Sequence, residues 1–309
     1  MKRNTVRVDF LRRAILAVGM SCVATIALAP VSIAEPPPPP VGDEHGPVQP
    51  YIVNGREATK PYSFMASLQL ADGRHFCGAS LIDQKWLVTA AHCLINVVPG
   101  QTVVRVGSLD RTAGGSVARV SRAVQHPKFD MALAGNDVAL LELETPVRER
   151  PIAIGADAGR VGTPTLVMGW GVTCDRDLND PACRSAIPRR LQELDTRLVA
   201  DSECSNLAAG LELCTKSRHN EFASACFGDS GGPQVKESRS GRPVLIGATV
   251  GDGDDLEMRP NVCTTGPDGR GGAGMWTKLA AQVEFYLGTL DRLDPRAAIR
   301  VRVATALAR

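Results

Sequence analysis

The sequence predicts an all-β protein built from many short antiparallel strands. Short apolar or alternating runs are separated by Gly, Asp, Asn and Pro, the residues that favour turns. The chain has 309 residues, of which 44% are hydrophobic, so it can bury a large core. Many short strands at close spacing are typical of an antiparallel barrel or sandwich.

Strand-like runs occupy the middle of the chain, and helical spacing appears only near its end. The predicted strands are residues 67–70, 79–82, 86–89, 103–106, 138–143, 166–168 and 244–250. A helix is predicted over 276–293, because apolar residues recur there at helical intervals until Pro295. The basic residues 296–309 have no pattern that decides their structure.

The N-terminus has the pattern of a secretory signal. Basic residues precede an apolar stretch at 14–29, and the small residues Ser32 and Ala34 follow it. We place cleavage after Ala34, so residues 1–34 form a signal peptide and the protein is expected to be secreted. No later segment reaches the roughly 20 apolar residues of a membrane span, so no membrane association is expected after signal removal.

Residues 35–51 are rich in proline, with five consecutive prolines at 36–40. Such a run favours an extended, solvated polyproline conformation over a packed element. The segment is interpreted as a propeptide or as a plain linker, and what begins at Ile52 decides between the two.

The cysteine count favours disulfides. Cys22 lies in the signal core, and its removal leaves an even number of cysteines in an exported chain. His92 and Cys93 are adjacent, but no second ligand cluster lies at zinc-like spacing, so we predict no metal site.

Charge and composition argue against other classes of function. The formal net charge is +2, with Lys and Arg scattered along the chain, so no patch for nucleic acid stands out. Aromatic residues make up 4% of the chain, which disfavours base-stacking platforms.

Three motifs carry the residue types needed for nucleophilic hydrolysis. A serine hydroxyl attacks a peptide bond only with a base beside it, usually a histidine oriented by a buried carboxylate, and with backbone N–H donors awaiting the oxyanion. Thr-Ala-Ala-His-Cys at 89–93 closes an apolar strand, Asn-Asp-Val-Ala-Leu-Leu at 136–141 opens another, and Gly-Asp-Ser-Gly-Gly-Pro at 228–233 is a glycine-rich turn.

Together, in the order His, Asp, Ser, these motifs resemble the trypsin and chymotrypsin family of serine proteases. The resemblance covers nearly everything from Ile52 to about Leu293. It implies two packed six-stranded antiparallel β-barrels with a C-terminal α-helix, a protease domain over 52–293 and a tail over 294–309. It also implies a monomeric serine endopeptidase without a cofactor, which acts on protein or peptide substrates and is open to proteinaceous inhibitors.

The resemblance assigns catalytic roles residue by residue. Ser230 is the expected nucleophile, His92 the general base and then acid, and Asp137 the orienting carboxylate. The backbone N–H groups of Gly228 and Ser230 are the expected oxyanion hole, where a glycine lets the substrate approach the backbone closely.

Tyr51 and Ile52 resemble the family's activation junction. A cut between them frees the Ile52 amino group, whose expected partner is Asp229, so residues 35–51 are interpreted as a propeptide and the uncut precursor is expected to be nearly inactive. The family pattern also implies three disulfides, Cys77–Cys93, Cys204–Cys214 and Cys226–Cys263, which leaves Cys174 and Cys183 as a last pair.

The residues expected at the specificity pocket leave two interpretations open. The resemblance implies that the residue six before the nucleophile lies at the base of the specificity pocket, and here that residue is Ser224, which is not an acid. Phe227 and Gly274, on the expected mouth and wall, leave an apolar slot, so we expect a large apolar or aromatic residue before the cut. Val250 and Gly251 replace the family's usual Ser-Trp. Nearby acids keep a basic-residue preference open as the alternative: Asp252, Asp254, Asp255 and Glu257.

Two functions from other classes remain as rivals. A noncatalytic binding protein can keep a protease fold, because fold alone does not establish chemistry. A structural cell-wall or surface module suits the signal and the proline-rich segment but leaves the three motifs unexplained.

Overall fold

The computed structural model describes residues 52–174, 187–220, 222–252, 263 and 272–308, with the backbone alone at Asp252 and Val303. Within this part of the chain, the strands form two antiparallel barrels. Predicted features at Tyr51, Cys183, Asp254, Asp255 and Glu257 lie outside the described residues, as do residues 1–50.

The first barrel closes in the order β2-β3-β4-β7-β6-β5. Its strands follow the short β1 (Arg56–Glu57) and are β2 (Met65–Gln69), β3 (His75–Asp83), β4 (Trp86–Thr89), β5 (Val103–Val106), β6 (Ser116–Gln125) and β7 (Ala139–Leu143). Both faces of β2 and β4 are buried, because these strands line the barrel interior on one side and pack against other parts of the chain on the other.

The second barrel closes in the order β8-β9-β10-β13-β12-β11, and β1 pairs with the first two residues of β9, on the edge that β10 does not reach. Its strands are β8 (Pro164–Gly169), β9 (Gln192–Leu198), β10 (Glu212–Ser217), β11 (Pro233–Glu237), β12 (Pro243–Asp252) and β13 (Ala273–Lys278). A hydrophobic cluster shared by the two barrels includes Met168, Trp170 and Leu245 with Leu68 and Leu140. This shared core fixes the two barrels against each other and so fixes the cleft between them.

The end of the chain contains two helices. A 3-10 turn (Leu279–Gln282) leads into α1 (Val283–Leu293), and α2 (Pro295–Leu307) follows directly. Asp294 starts α2 by accepting a hydrogen bond from Ala297 N at 3.0 Å, and Pro295 occupies its first turn. Within the tail, which had no predicted structure, Pro295–Leu307 therefore form a packed helix, with Ala297, Ala298 and Val301 buried in the shared core.

The predicted fold class is confirmed: two six-stranded antiparallel barrels precede a helical C-terminus. The helix predicted over 276–293 begins only at Val283, because Trp276 pairs with Leu213 and Thr249 as part of β13. None of the helices in the described residues is long and apolar enough to cross a bilayer.

Three disulfides cross-link the described residues, with the pairings that the resemblance implies: Cys77–Cys93, Cys204–Cys214 and Cys226–Cys263. The first joins β3 to the turn that carries His92. The pairing of Cys174 with Cys183 stays a prediction, since Cys183 lies outside the described part of the chain.

Candidate active site

A cleft of about 510 Å³ brings the three sequence motifs together. His92, Asp137, Gly228 and Ser230 all line it. His92 and Asp137 come from the first barrel, where β4 ends and β7 begins, whereas Ser230 lies just before β11 of the second. The candidate site is thus assembled where the two barrels meet.

Asp137 holds His92 through both carboxylate oxygens. Oδ2 lies 2.6 Å from His92 Nδ1, and Oδ1 accepts the His92 backbone N–H at 2.9 Å. The Asp137 side chain is only 7% exposed, whereas 26% of the His92 side chain is exposed. A carboxylate at Nδ1 favours the tautomer with its proton on that nitrogen, which leaves the lone pair of Nε2 to accept a proton. Nε2 lies 3.8 Å from Cys93 Sγ.

The turn that carries Ser230 is bound to both barrels. Gly78 N of β3 donates to Ser230 O at 2.7 Å, and Gly231 N donates to Thr249 O of β12 at 2.7 Å. Gly231 has φ +73°, and a Cβ there would lie 2.1 Å from Thr89 Oγ1, so only glycine fits. Among the described residues, no hydrogen bond joins Ser230 Oγ to His92 Nε2; such catalytic contacts are often long before substrate binds.

A hydrogen bond fixes the orientation of the peptide that joins Phe227 to Gly228. Val172 N donates to Phe227 O at 2.8 Å, and because C=O and N–H of a trans peptide point in opposite directions, the Gly228 N–H points away from Val172. Gly228 itself has φ +99°, which favours glycine. The arrangement suits an N–H donor aimed at a substrate oxygen.

His75, which the sequence reasoning missed, supports the same loop. Its Nε2 lies 2.9 Å from Gly228 O, and its Nδ1 lies 2.8 Å from the Ser67 hydroxyl. Burial lowers the pKa of His75 to about 4, so the ring is neutral at pH 7 and donates from Nε2 to the Gly228 carbonyl. The sequence offered one signal for His75: it lies two residues before Cys77, whose expected disulfide partner, Cys93, follows His92.

Asp229 is fully buried behind the turn. Its Oδ1 accepts Gly171 N at 2.7 Å and its Oδ2 accepts Cys226 N at 2.8 Å. Burial raises the Asp229 pKa to about 6, while the two backbone hydrogen bonds oppose that rise. Within the described residues, no hydrogen bond or ion pair joins Asp229 to Ile52, which is itself fully buried.

The residues expected at the specificity pocket divide into two groups. Phe227, Val250 and Gly251 line the cleft. Ser224 and Gly274 are not among its lining residues: Ser224 Oγ donates to Ala273 O at 3.2 Å, and a Cβ on Gly274 would meet the Trp276 ring at 2.2 Å.

Trp276 was not singled out from the sequence. Its indole is 1% exposed and packs with Ala223 and Ala225, the neighbours of Ser224. A large apolar ring therefore lies next to the residues expected to form the base of the pocket.

Asp137 receives no side-chain hydroxyl at its carboxylate in the part of the chain described here. Val250, which lines the cleft nearby, has none to offer. A hydroxyl reaches the Asp137 backbone instead, since Thr277 Oγ1 of β13 donates to Asp137 O at 2.6 Å.

One group of ligand-type residues lies at the cleft. Atoms of Cys77, His92 and Cys93 lie within 4.8 Å of one another. Both sulfur atoms belong to one disulfide and are not thiolates, so this group does not have the ligands that a zinc site requires.

Two antiparallel barrels, with an aspartate-bound histidine and a serine on a glycine turn in the cleft between them, define the chymotrypsin-like class of hydrolases.

Comparison with known proteins supports the same class. A family model described as Trypsin matches residues 52–266. Trypsin of Sarcophaga bullata is 34% identical over 197 residues, which cover 61% of this chain and 75% of that protein. Trypsin theta of Drosophila melanogaster is 31% identical over 230 residues, which cover 71% of this chain and 80% of that protein. The chain belongs to the trypsin family and is a serine endopeptidase, a hydrolase that acts on proteins.

Proposed function

We propose that this protein is a secreted endopeptidase, made as a precursor, in which Ser230, His92 and Asp137 hydrolyse peptide bonds after large apolar or aromatic residues. The observation that carries the proposal is the double hydrogen bond of Asp137 to His92 in the cleft that Ser230 also lines.

The chemistry follows from where the protons lie. With its proton held on Nδ1, His92 takes the Ser230 proton at Nε2 as the hydroxyl attacks the scissile carbonyl. The imidazolium that forms is stabilised by Asp137, and it returns the proton to the leaving amine. Water then attacks the acyl-enzyme carbonyl while His92 Nε2 takes its proton, and His92 returns that proton to Ser230 Oγ as the acid product leaves.

The developing oxyanion is stabilised by the N–H groups of Gly228 and Ser230. Fixed donors cost no reorganisation as charge develops, and loss of one donor typically costs about 3 kcal/mol of transition-state stabilisation. The hydrogen bonds of Val172 to Phe227 and of His75 to Gly228 support this role, because they fix the peptides on both sides of Gly228.

The cleft lining supports an apolar preference. Large apolar side chains border it and stay exposed: Ile95, Met131, Leu133 and Phe227 are 80%, 65%, 67% and 52% exposed. Exposed apolar groups collected at one cleft are typical of a binding surface. The absence of a carboxylate at position 224 points the same way.

Activation by a cut after Tyr51 is supported by how the following residues are anchored. Ser224 N donates to Val53 O at 3.2 Å, and Asn54 Nδ2 donates to Phe222 O at 2.7 Å. The segment that starts at Ile52 is thus bonded to the loop leading to Ser230. An ammonium group freed at Ile52 stabilises the ionised form of the buried Asp229, and the pair persists until the amino group, with an ordinary pKa of about 8 that pairing raises, loses its proton at alkaline pH.

The remaining parts of the proposal rest on the sequence. Residues 1–34 are a signal peptide and 35–51 a propeptide, followed by the protease domain at 52–293. The three disulfides that cross-link the two barrels' loops and strands suit an oxidising compartment. We infer a monomer that acts on protein or peptide substrates and is inhibited by proteins that occupy the cleft.

Cleavage profiling tests the proposal. Protein beginning at Ile52 is incubated with a diverse peptide library, with Ser230→Ala as the control, and the cleaved bonds are read by mass spectrometry. Cuts after Phe, Tyr, Leu or Met that disappear in Ser230→Ala support it. Cuts after Lys or Arg, the alternative that the acidic residues near the expected pocket leave open, contradict the apolar preference, and no Ser230-dependent cuts at all favour a noncatalytic binding protein.

A further inference from the structure

Glu212 is a buried carboxylate that the catalytic proposal does not use. It is the first residue of β10, it is 3% exposed, and it lines the same cleft as Asp137. Its two oxygens bind two different loops: Oε1 accepts Gly135 N at 3.0 Å, and Oε2 accepts Ala208 N at 2.7 Å. Gly135 belongs to the first barrel and Ala208 to the second, so this carboxylate joins the two barrels beside the cleft.

The loop that Glu212 holds leads directly to Asp137. Gly135 and Asn136 have φ of +88° and +57°, two consecutive left-handed residues before the catalytic carboxylate. Left-handed backbone is uncommon outside glycine, and Asn adopts it more readily than most other residues. The hydrogen bond at Gly135 N holds the start of this turn.

Thr277 holds the other side of the same turn. Glu212 and Thr277 are direct cross-strand partners in the β10–β13 register. Thr277 is fully buried, and its hydroxyl donates to Asp137 O at 2.6 Å. Glu212 and Thr277, neighbours in the second barrel, therefore bind the backbone at Gly135 and at Asp137.

We propose that Glu212 and Thr277 are positioning residues that set the orientation of the Asp137 carboxylate toward His92, an inference that rests on the proposed function. Within the described residues, the Asp137 carboxylate receives only the two His92 N–H donors, so its placement depends on the backbone that carries it. A displacement of about 1 Å at a catalytic group can cost about 100-fold in rate.

The electrostatics favour a specific role for Glu212. Burial raises its pKa, the negative charge of Asp137 raises it further, and the backbone N–H groups of Ala208 and Gly135 oppose the rise. A buried acid beside another carboxylate is costly, and here both of its oxygens are hydrogen-bonded across the loops. At 3% exposure it has little surface to offer a substrate.

Two pairs of variants separate positioning from simple stabilisation. Glu212→Gln keeps the size but turns an NH₂ group toward one of the two N–H donors, and Glu203→Gln is its control, because Glu203 is a half-exposed surface acid paired with Lys216. Thr277→Val removes the hydroxyl at nearly constant volume, and Thr277→Ser restores it. Steady-state kinetics are measured on protein beginning at Ile52, with kcat expressed per site titrated by a fluorophosphonate.

The proposal expects a loss in kcat of about 10-fold or more for Glu212→Gln and Thr277→Val, with KM within about twofold. Thr277→Ser and Glu203→Gln are expected within about threefold of the unaltered protein. Unchanged kcat per site in both Glu212→Gln and Thr277→Val overturns the proposal, whatever happens to Tm. So does a loss that appears only in KM, which assigns Glu212 to substrate binding.

A spectroscopic measurement keeps this test separate from the proposed activity. In the Ser230→Ala background, the proton NMR signal of the His92 Nδ1–H that binds Asp137 is compared with and without Glu212→Gln. A shifted or lost signal in a protein that stays folded supports positioning, and an unchanged signal contradicts it. A parent protein that cleaves nothing and does not react with the fluorophosphonate contradicts the proposed function, while the NMR result still decides whether Glu212 positions Asp137.

Discussion

The carboxylate of Asp137 binds His92 twice, at the ring Nδ1 and at the backbone N–H, at 2.6 and 2.9 Å. One contact sets the tautomer and the other sets the position of the histidine backbone. The pair thus ties the end of β4 to the start of β7, two antiparallel neighbours in the first barrel.

Replacing Asp137 by Asn is expected to lower kcat by about 10⁴-fold. If the Asn NH₂ faces Nδ1, it favours the tautomer with the proton on Nε2, which cannot accept the Ser230 proton; if the amide oxygen faces Nδ1, it lacks the charge that stabilises the imidazolium. The measurement is peptide hydrolysis by protein beginning at Ile52, and Asp157→Asn, at an exposed side chain, is the matched control. A loss below about tenfold would remove Asp137 from the catalytic group.

Replacing Gly228 by Ala is expected to lower kcat by about 100-fold or more. The residue has φ +99°, and the new Cβ would lie 3.1 Å from Gly171 Cα, so the peptide must turn and its N–H leaves the oxyanion position. Gly210→Ala is the control, because Gly210 has φ +81° with open space around it. Equal activity losses in the two variants would show that backbone strain alone is responsible.

The uncut chain is expected to lose stability as the pH rises from about 4 to about 6. Asp229 has an ordinary pKa of 3.8 when unfolded and about 6 when buried, so the folded state binds more protons in this window and deprotonation opposes folding. Thermal unfolding is measured across this range in the Ser230→Ala background, with and without Asp229→Asn. The Tm of the parent should fall relative to that of the Asn variant as the pH rises.

Cutting after Tyr51 should abolish this relative fall, because the Ile52 ammonium favours the ionised carboxylate and lowers its pKa. A parallel pH dependence in the parent and the Asp229→Asn variant before the cut would mean that Asp229 does not titrate in this range.

Arg300→Ala is expected to destabilise the protein by about 1–3 kcal/mol. The Arg300 guanidinium donates to both oxygens of Asp83, whose side chain is 4% exposed, so its removal leaves a buried carboxylate without its main partner. Arg302→Ala on the same helix is the control: its pair with Asp291 is half exposed, and such pairs contribute about 0–1 kcal/mol. Chemical denaturation of both variants checks the difference, and equal effects would contradict a structural role for α2 at β3.

The sequence allowed the strands with simple apolar patterns to be predicted. Residues 86–89 and 103–106 were predicted with the bounds that β4 and β5 have. β9 was missed because its run contains Glu193, Asp195 and Arg197. Glu193 is buried there because Arg56 and Tyr62 hydrogen-bond to it, a contact that no local pattern reveals.

The tail shows a different limit. Pro295 was interpreted as the end of a helix, which holds for α1, but Asp294 and Pro295 together also begin α2 as a cap and a first-turn proline. What makes α2 stable is burial of its small residues and the ion pair with Asp83, both of which depend on tertiary structure.

The candidate site, like the fold, could be predicted only in part from the sequence. His92, Asp137 and Ser230 are recognisable because each lies in a short motif. Glu212 and Thr277 act on the Asp137 turn across 77 and 140 residues of sequence, so only the packed barrels bring them there.

The most direct test of the account is covalent labelling of the processed protein with a fluorophosphonate. Protein beginning at Ile52 is treated with the reagent, and the modified peptide is located by mass spectrometry, with Ser230→Ala and His92→Ala treated in parallel. The account predicts one adduct, on Ser230, that is absent from Ser230→Ala and strongly slowed in His92→Ala. A folded, processed protein that forms no adduct, or forms it equally fast without His92, would contradict the claim that these residues form one catalytic group.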